Sequence, residues 1–176
     1  MSTEPPNDSS QREAIRGELQ RLEESAMFSS QAQFEQTKKW RSVNYLLGIP
    51  ASLLAAAAGG TALAATAGRV AAGIMAIVAA GLGALLTTVN ASHHMNQASS
   101  AANAYLEIQT AARQYRLIDL PNGDLSEARQ QLAELTARRD EQNKTAEAPS
   151  RSAYKKAKAN ITGGGQSYAI DSTKEK

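Results

Sequence analysis

His93 and His94 are the chain's only imidazoles, and a metal site or a general base would have to start from them. Neighbouring residues on a helix point about 100° apart, so the pair cannot chelate as an i, i+4 pair does. They are expected to be interfacial polar residues. The sequence has no cysteine, which removes thiolate ligands and disulfides. The glycines of "ITGGGQS" (Ile161–Ser167) follow no strand and precede no helical pattern, so they read as linker and not as a phosphate loop. No nucleophile elbow or paired-carboxylate arrangement is evident. The chain is expected not to be an enzyme, and to need neither cofactor nor metal.

The remaining polar chemistry is that of groups placed where water is scarce. Thr87, Thr88 and Asn90 close an apolar run that otherwise offers nothing to hydrogen-bond. What positions them is a pair of apolar segments. From Ser42 to Gly68, 27 residues pass without a charge, and Val70–Leu106 adds another 37. A chain of 176 residues and formal net charge +2 has room for one domain plus tails, and too little excess charge to make nucleic acid its direct partner. Aromatic residues are 5%, alanine is abundant and no long β-branched alternation occurs, so the fold class is read as all-α.

The mean hydropathy of −0.39 averages over a sharp partition. The first apolar segment spans 44–65 and the second 70–89, each near the twenty residues that cross about 30 Å of hydrocarbon. Thr66–Arg69 would be the turn, which forces an antiparallel hairpin. A buried core of a soluble protein is the competing reading, since alanine gains little on leaving water. A soluble helix of this length keeps a polar face, however, and these offer only Ser, Thr and Gly there. The membrane hairpin is preferred. The acidic, turn-prone start "MSTEPPNDSS" is unlike a secretory signal, so insertion is expected through internal segments. Lys38, Lys39 and Arg41 crowd the start of the first segment while the turn has only Arg69, which places both ends in the cytoplasm. Trp40 and Tyr45 bracket the same boundary, where amphipathic rings favour the headgroup level.

Small residues form a stripe on each segment: Gly48, Ser52, Ala55, Gly59, Ala62 and Thr66 on the first, and Ala72, Ala76, Ala79, Gly83, Thr87 and Asn90 on the second. Ile74, Val78, Leu82, Leu85 and Val89 take another face, expected to meet lipid. Close backbone approach through small residues is the usual means of helix association in lipid. The plainer use of the stripes is packing within the hairpin and between subunits. The other is to line a water-filled path in an oligomer. Pro50 removes one backbone donor and is expected to set the approach angle of the first segment.

The flanks are amphipathic. Residues 1–9 read as a disordered lead, and Ser10 with Glu13 as a capping box. Ile15, Leu19, Leu22 and Ala26 then make one stripe, with Ser29 and Ser30 as a candidate interruption before residue 43. Tyr105, Ile108, Ala112 and Tyr115 mark a helix within 92–119. "DLPNGD" breaks it, and Asp124 with Glu127 restarts a helix over 124–142, with Leu125, Ala128, Leu132 and Leu135 on one side. Residues 143–176 lack a sustained period and read as a disordered tail, in which "RSAYKKAKAN" has the charge to attract anionic lipid or nucleic acid but is taken as solvated.

A cytosolic helix, "KKWRSVNYLLGIPASLLAAAAGG", a short turn, a second apolar helix and "AANAYLEIQTAARQY" follow one another in an order that resembles the SLATT family, two-transmembrane effector domains of bacterial conflict systems. The likeness covers about residues 11–140, within a domain taken as 10–142. Its most specific parts are the basic and aromatic start with Gly48-Ile49-Pro50, and the Asn103–Tyr115 helix with Tyr105 and Arg113. The resemblance implies an oligomeric pore-forming effector of the bacterial inner membrane. It would permeabilise or depolarise that membrane in antiviral defence, when triggered by a separate nucleotide-sensing partner or second-messenger synthase. Leu19, Leu22, Tyr105, Ile108, Tyr115, Leu132 and Leu135 on the coiled-coil-like cytosolic helices would then assemble the homo-oligomer. A membrane-anchored scaffold that recruits a partner, and a holin-like pore, are the alternatives.

Overall fold

The computed structural model describes residues 8–62 and 66–168, and among these all regular structure is helical, without a strand. The elements are α1 (Asp8–Ala62), α2 (Thr66–Val89), α3 (Ala91–Gln114), a π-helical segment (Tyr115–Asp119), α4 (Leu125–Thr145) and α5 (Arg151–Thr162). The chain divides into two compact units. One joins the residues up to Glu35 to those from Ala98 onward, and the other is Gln36–Gln97.

The first unit is a helical bundle, and the apolar stripes predict its core. Ile15, Leu19, Leu22 and Ala26 of α1 meet Ile108 and Ala112 of α3, Leu120, and Ala128 and Leu135 of α4, with Tyr115, Leu125 and Leu132 packed around them. Each large aliphatic side chain withdrawn from water here contributes about 1.5–3 kcal/mol. The π-helical segment has a clear cause. Continuing the α3 stripe from Ile108, Ala112 and Tyr115 by four would bring Asp119 to the core. A wide turn, with Leu120 N–H donating to Tyr115 O at 2.9 Å, advances the chain by one residue and seats Leu120 there instead. Asp119 O then accepts from Gly123 N–H at 2.8 Å, and a Cβ at Gly123 would lie 2.9 Å from that oxygen, so the turn requires glycine. α4 starts as the sequence predicts: the Asp124 carboxylate accepts from Ser126 N–H at 2.8 Å and from Glu127 N–H at 3.3 Å.

Polar ties fix the register of the bundle. Arg12 donates to Leu120 O and, at 3.0 Å, to Gly123 O, satisfying carbonyls at the end of the π-helical segment. Ser30 Oγ donates to Ala102 O at 3.0 Å, Arg116 Nη2 pairs with Glu23 at 2.9 Å, and Tyr105 Oη donates to Asn143 Oδ1 at 2.7 Å.

Five expectations change. α1 runs without interruption through Ser29, Ser30 and Pro50, because Ser30 turns inward to Ala102 rather than competing for its own backbone. Asp8 and Ser9 are helical, which puts Ser10 inside the helix and not at its cap; residues 1–7 lie outside those described. Thr66–Arg69 is the first turn of α2, so the connection between the apolar helices falls at 63–65, outside the described residues. The supposed tail is partly ordered, with α4 reaching Thr145 and α5 following it. Ser150 caps α5, Ala153 and Ala157 are buried one turn apart, and Asn160 Nδ2 donates to Gln31 Oε1 at 3.1 Å. The glycine run is the C-terminal cap of α5 and not a linker. Gly163 N–H reaches Ala159 O at 2.9 Å, Gly164 takes φ +84°, and Gly165 N–H reaches Asn160 O at 2.8 Å. Residues 169–176 lie outside those described.

Candidate functional site

The second unit is an antiparallel pair formed by the C-terminal half of α1 and by α2, continued by the start of α3. The pair is held by a seam of small side chains. Ala58, Ala72 and Ala79 are buried, and the place of a Cβ on Gly48 lies 3.7 Å from Leu86 Cδ2. Ala72, Ala79 and Leu86 recur every seven residues, the spacing that keeps one helix face on a neighbour. Gly48 leaves the room that Leu86 fills.

The seam differs from the stripes that spacing predicts. On α1 it passes through Ala58, while Ser52, Ala55 and Gly59 are exposed; on α2 Ala79 belongs to it, whereas Ala76 and Thr87 are exposed and Gly83 is half-buried. Among the described residues nothing beyond the chain neighbours and the helix's own backbone comes within 4 Å of where a Cβ would stand on Gly59 or Gly83, so neither glycine serves close packing inside this hairpin. The side chain of Ala62 lies outside those described. Beside the seam runs an open trough of about 700 Å³, walled by Ala51, Ala55 and Ala58 on α1 and by Ala72, Ala76 and Ala79 on α2, with Arg69 on its lining.

Many of the large apolar residues face outward. Leu46 is 73% exposed, Leu53 66%, Val70 69% and Ile77 75%, and Tyr45, Ile49, Ile74, Val78 and Leu85 are exposed with them. Two helical stretches are long and apolar enough to cross a membrane. Only 6% and 11% of their most apolar windows are buried within the chain, so neither is the core of this unit.

The hydroxyl groups in these helices are satisfied locally. Ser52 Oγ donates to Gly48 O at 2.9 Å, Thr87 Oγ1 to Gly83 O at 2.9 Å and Thr88 Oγ1 to Ala84 O at 2.8 Å. Asn90, at φ +49°, breaks the chain between α2 and α3; its N–H donates to Leu86 O, and its carbonyl accepts from His93 and His94 N–H. Asparagine tolerates the left-handed conformation better than most residues.

At the polar end of the pair, Lys38, Lys39 and Arg41 are exposed, while Trp40 is half-buried. The Trp40 ring stacks on His94 with centroids 4.6 Å apart and planes 16° apart, and His93 meets His94 edge-on at 6.0 Å. The two imidazoles therefore diverge, and one of them packs on the indole. Among the described residues no group of three or more His, Asp or Glu side chains could hold a metal ion.

The residues expected to assemble subunits have another role. Leu19, Leu22, Tyr105, Ile108 and Leu135 are buried in the chain's own bundle, and Tyr115 and Leu132 pack against it. Their stripes are consumed internally because α1, α3 and α4 turn them toward one another. Spacing alone did not mark Leu117 and Ile118, large apolar side chains that the wide turn leaves exposed. Compared with known proteins, the chain matches no family model, no curated protein and no solved structure.

Proposed function

We propose that the chain is an oligomeric effector of the bacterial inner membrane that permeabilises or depolarises it on a signal from a nucleotide-sensing defence partner. The observation that carries this reading is the outward belt of Leu46, Leu53, Val70 and Ile77 around a seam of alanine. A protein in water rarely exposes so large a continuous apolar surface, whereas hydrocarbon favours it. The open trough and the vacant surroundings of Gly59 and Gly83 fit helices of neighbouring copies, which associate in lipid through small residues. Lys38, Lys39 and Arg41 favour the cytoplasmic side for both flanks.

The test is membrane potential, followed with a voltage-sensitive dye in bacteria after induced expression. The native chain is expected to depolarise the cells, and Gly59→Leu with Gly83→Leu to abolish the effect. Depolarisation that survives both changes would sink assembly through these faces. A second reading, a membrane-anchored scaffold, is favoured by the exposed Leu117 and Ile118 on the bundle unit. It predicts no depolarisation by the native chain, and loss of partner capture when both residues become serine.

A further inference from the structure

The charges of the bundle unit are unevenly matched. In α4, three of four cations are paired: Arg138 with Glu107, Arg139 with Asp140 and Lys144 with Glu141. In α1, Arg16 and Arg21 pair with Glu13 and Glu18. α5 carries Arg151, Lys155, Lys156 and Lys158 and no acid at all. All four are exposed and make no ion pair among the described residues. Over residues 142–170 the sequence has five cations and a single acid, Glu147.

The arrangement is as informative as the count. Burial of Ala153 and Ala157 and the Asn160–Gln31 bond fix which side of α5 faces the bundle. Arg151, Lys155 and Lys158 follow one another at i, i+4 and i+7, so they form one row on the outward side. Tyr154, half exposed, flanks the row one turn before Lys158. Lys156 lies about 100° round the helix from Lys155 and stands apart from it. Small alanines hold the inner face close while the long cations reach away from it.

We propose that this outer face of α5 docks on anionic phospholipid headgroups. A single straight row of cations on a convex helix matches a flat sheet of negative charge. It does not provide the groove and the spread of contacts that a specific nucleic-acid interface needs. Tyr154 adds a ring with an apolar body and a polar tip, which suits the headgroup level. The choice of a bilayer rests on the membrane reading of the hairpin, which keeps α5 on a chain tethered there.

The experiment places the full chain with vesicles of phosphatidylcholine alone, or of phosphatidylcholine doped with phosphatidylglycerol. It reads flotation together with hydrogen exchange of the α5 amides. Flotation with neutral vesicles reports the hairpin. Slower exchange in α5 that needs phosphatidylglycerol reports the docking face. If the chain does not insert, flotation with the doped vesicles alone still reports α5, so the two readings fail separately. Neutralising one cation of the row, as in Lys155→Gln, is expected to weaken the anionic-lipid dependence about fivefold. Lys156→Gln removes the same charge off the row and is expected to have a much smaller effect. Equal losses in the two variants would reduce the effect to net charge and overturn the docking face. Protection of α5 by single-stranded RNA, and not by doped vesicles, would overturn the lipid assignment.

Discussion

The two units are made from the same alanine-rich helices turned opposite ways. In the bundle, Leu19 and Leu120 are fully buried and Ile108 nearly so. In the hairpin the buried side chains are Ala58, Ala72 and Ala79, while Leu46, Leu53, Val70 and Ile77 are exposed. A bundle in water gains by hiding its largest apolar side chains. Helices in hydrocarbon gain nothing from hiding them and pack instead through what lets backbones approach. On the membrane reading proposed above, size order across each interface separates the two units more sharply than average hydropathy does.

The strongest way to sharpen this contrast is to truncate one residue on each side. Leu19→Ala should cost the bundle about 2–5 kcal/mol in a thermal melt in detergent. Leu46→Ala should stay within about 0.5 kcal/mol, since that side chain is 73% exposed. Comparable losses would break the contrast. Nearly as large is Ile77→Lys, which adds a charge costing about 2.5–3.5 kcal/mol at the centre of a spanning helix and should abolish flotation with neutral vesicles. Were the hairpin to face water, a lysine at this exposed position would change nothing.

Smaller effects belong to the bundle alone. Tyr105→Phe removes the hydroxyl that meets Asn143 and should cost about 0.5–1.5 kcal/mol. Burial raises the Tyr105 pKa, and the nearby Arg139 charge only partly opposes this. Its contribution is therefore complete below the unfolded value near 10 and lost as pH rises through the folded one. The phenylalanine variant should lose less stability on alkaline titration than the native chain. The smallest change is expected at Asp124. The Ser126 hydroxyl and then the Glu127 and Ser126 amides hold its carboxyl below the ordinary value of 3.8. This contribution is present above that value and is lost as pH falls through the folded pKa. Asp124→Ala should lower the melting temperature slightly near neutrality, and Asp124→Asn should keep the cap while removing its acid dependence.

Periodicity made the bundle legible. Ile15, Leu19, Leu22 and Ala26, and the Asp124–Glu127 restart, stand where large side chains and a capping carboxylate predict them. The same logic misassigned the use of those stripes, since spacing gives a face without naming its partner. α5 was hidden because its inner face is two alanines, which carry almost no hydropathic signal. The wide turn before Leu120 was hidden because a one-residue advance has no composition of its own. In the hairpin, small residues occur all round both helices. Only the packing of Leu86 against Gly48 and the burial of Ala58, Ala72 and Ala79 select the seam.

Because the bundle is assembled from both ends of the chain, its birth has a fixed order. Arg12 waits for carbonyls at Leu120 and Gly123, and the Ile15–Ala26 stripe waits for Ala128 and Leu135. At about 5–20 residues per second, those partners leave the ribosome roughly 5–20 seconds after Ala26. Within that interval, once Val89 has been made, the apolar pair is complete while the first stripe is still uncovered. Synthesis therefore presents the hairpin to its surroundings before the bundle can close. A chain stalled near residue 100 should be captured by holding chaperones through Leu19 and Leu22.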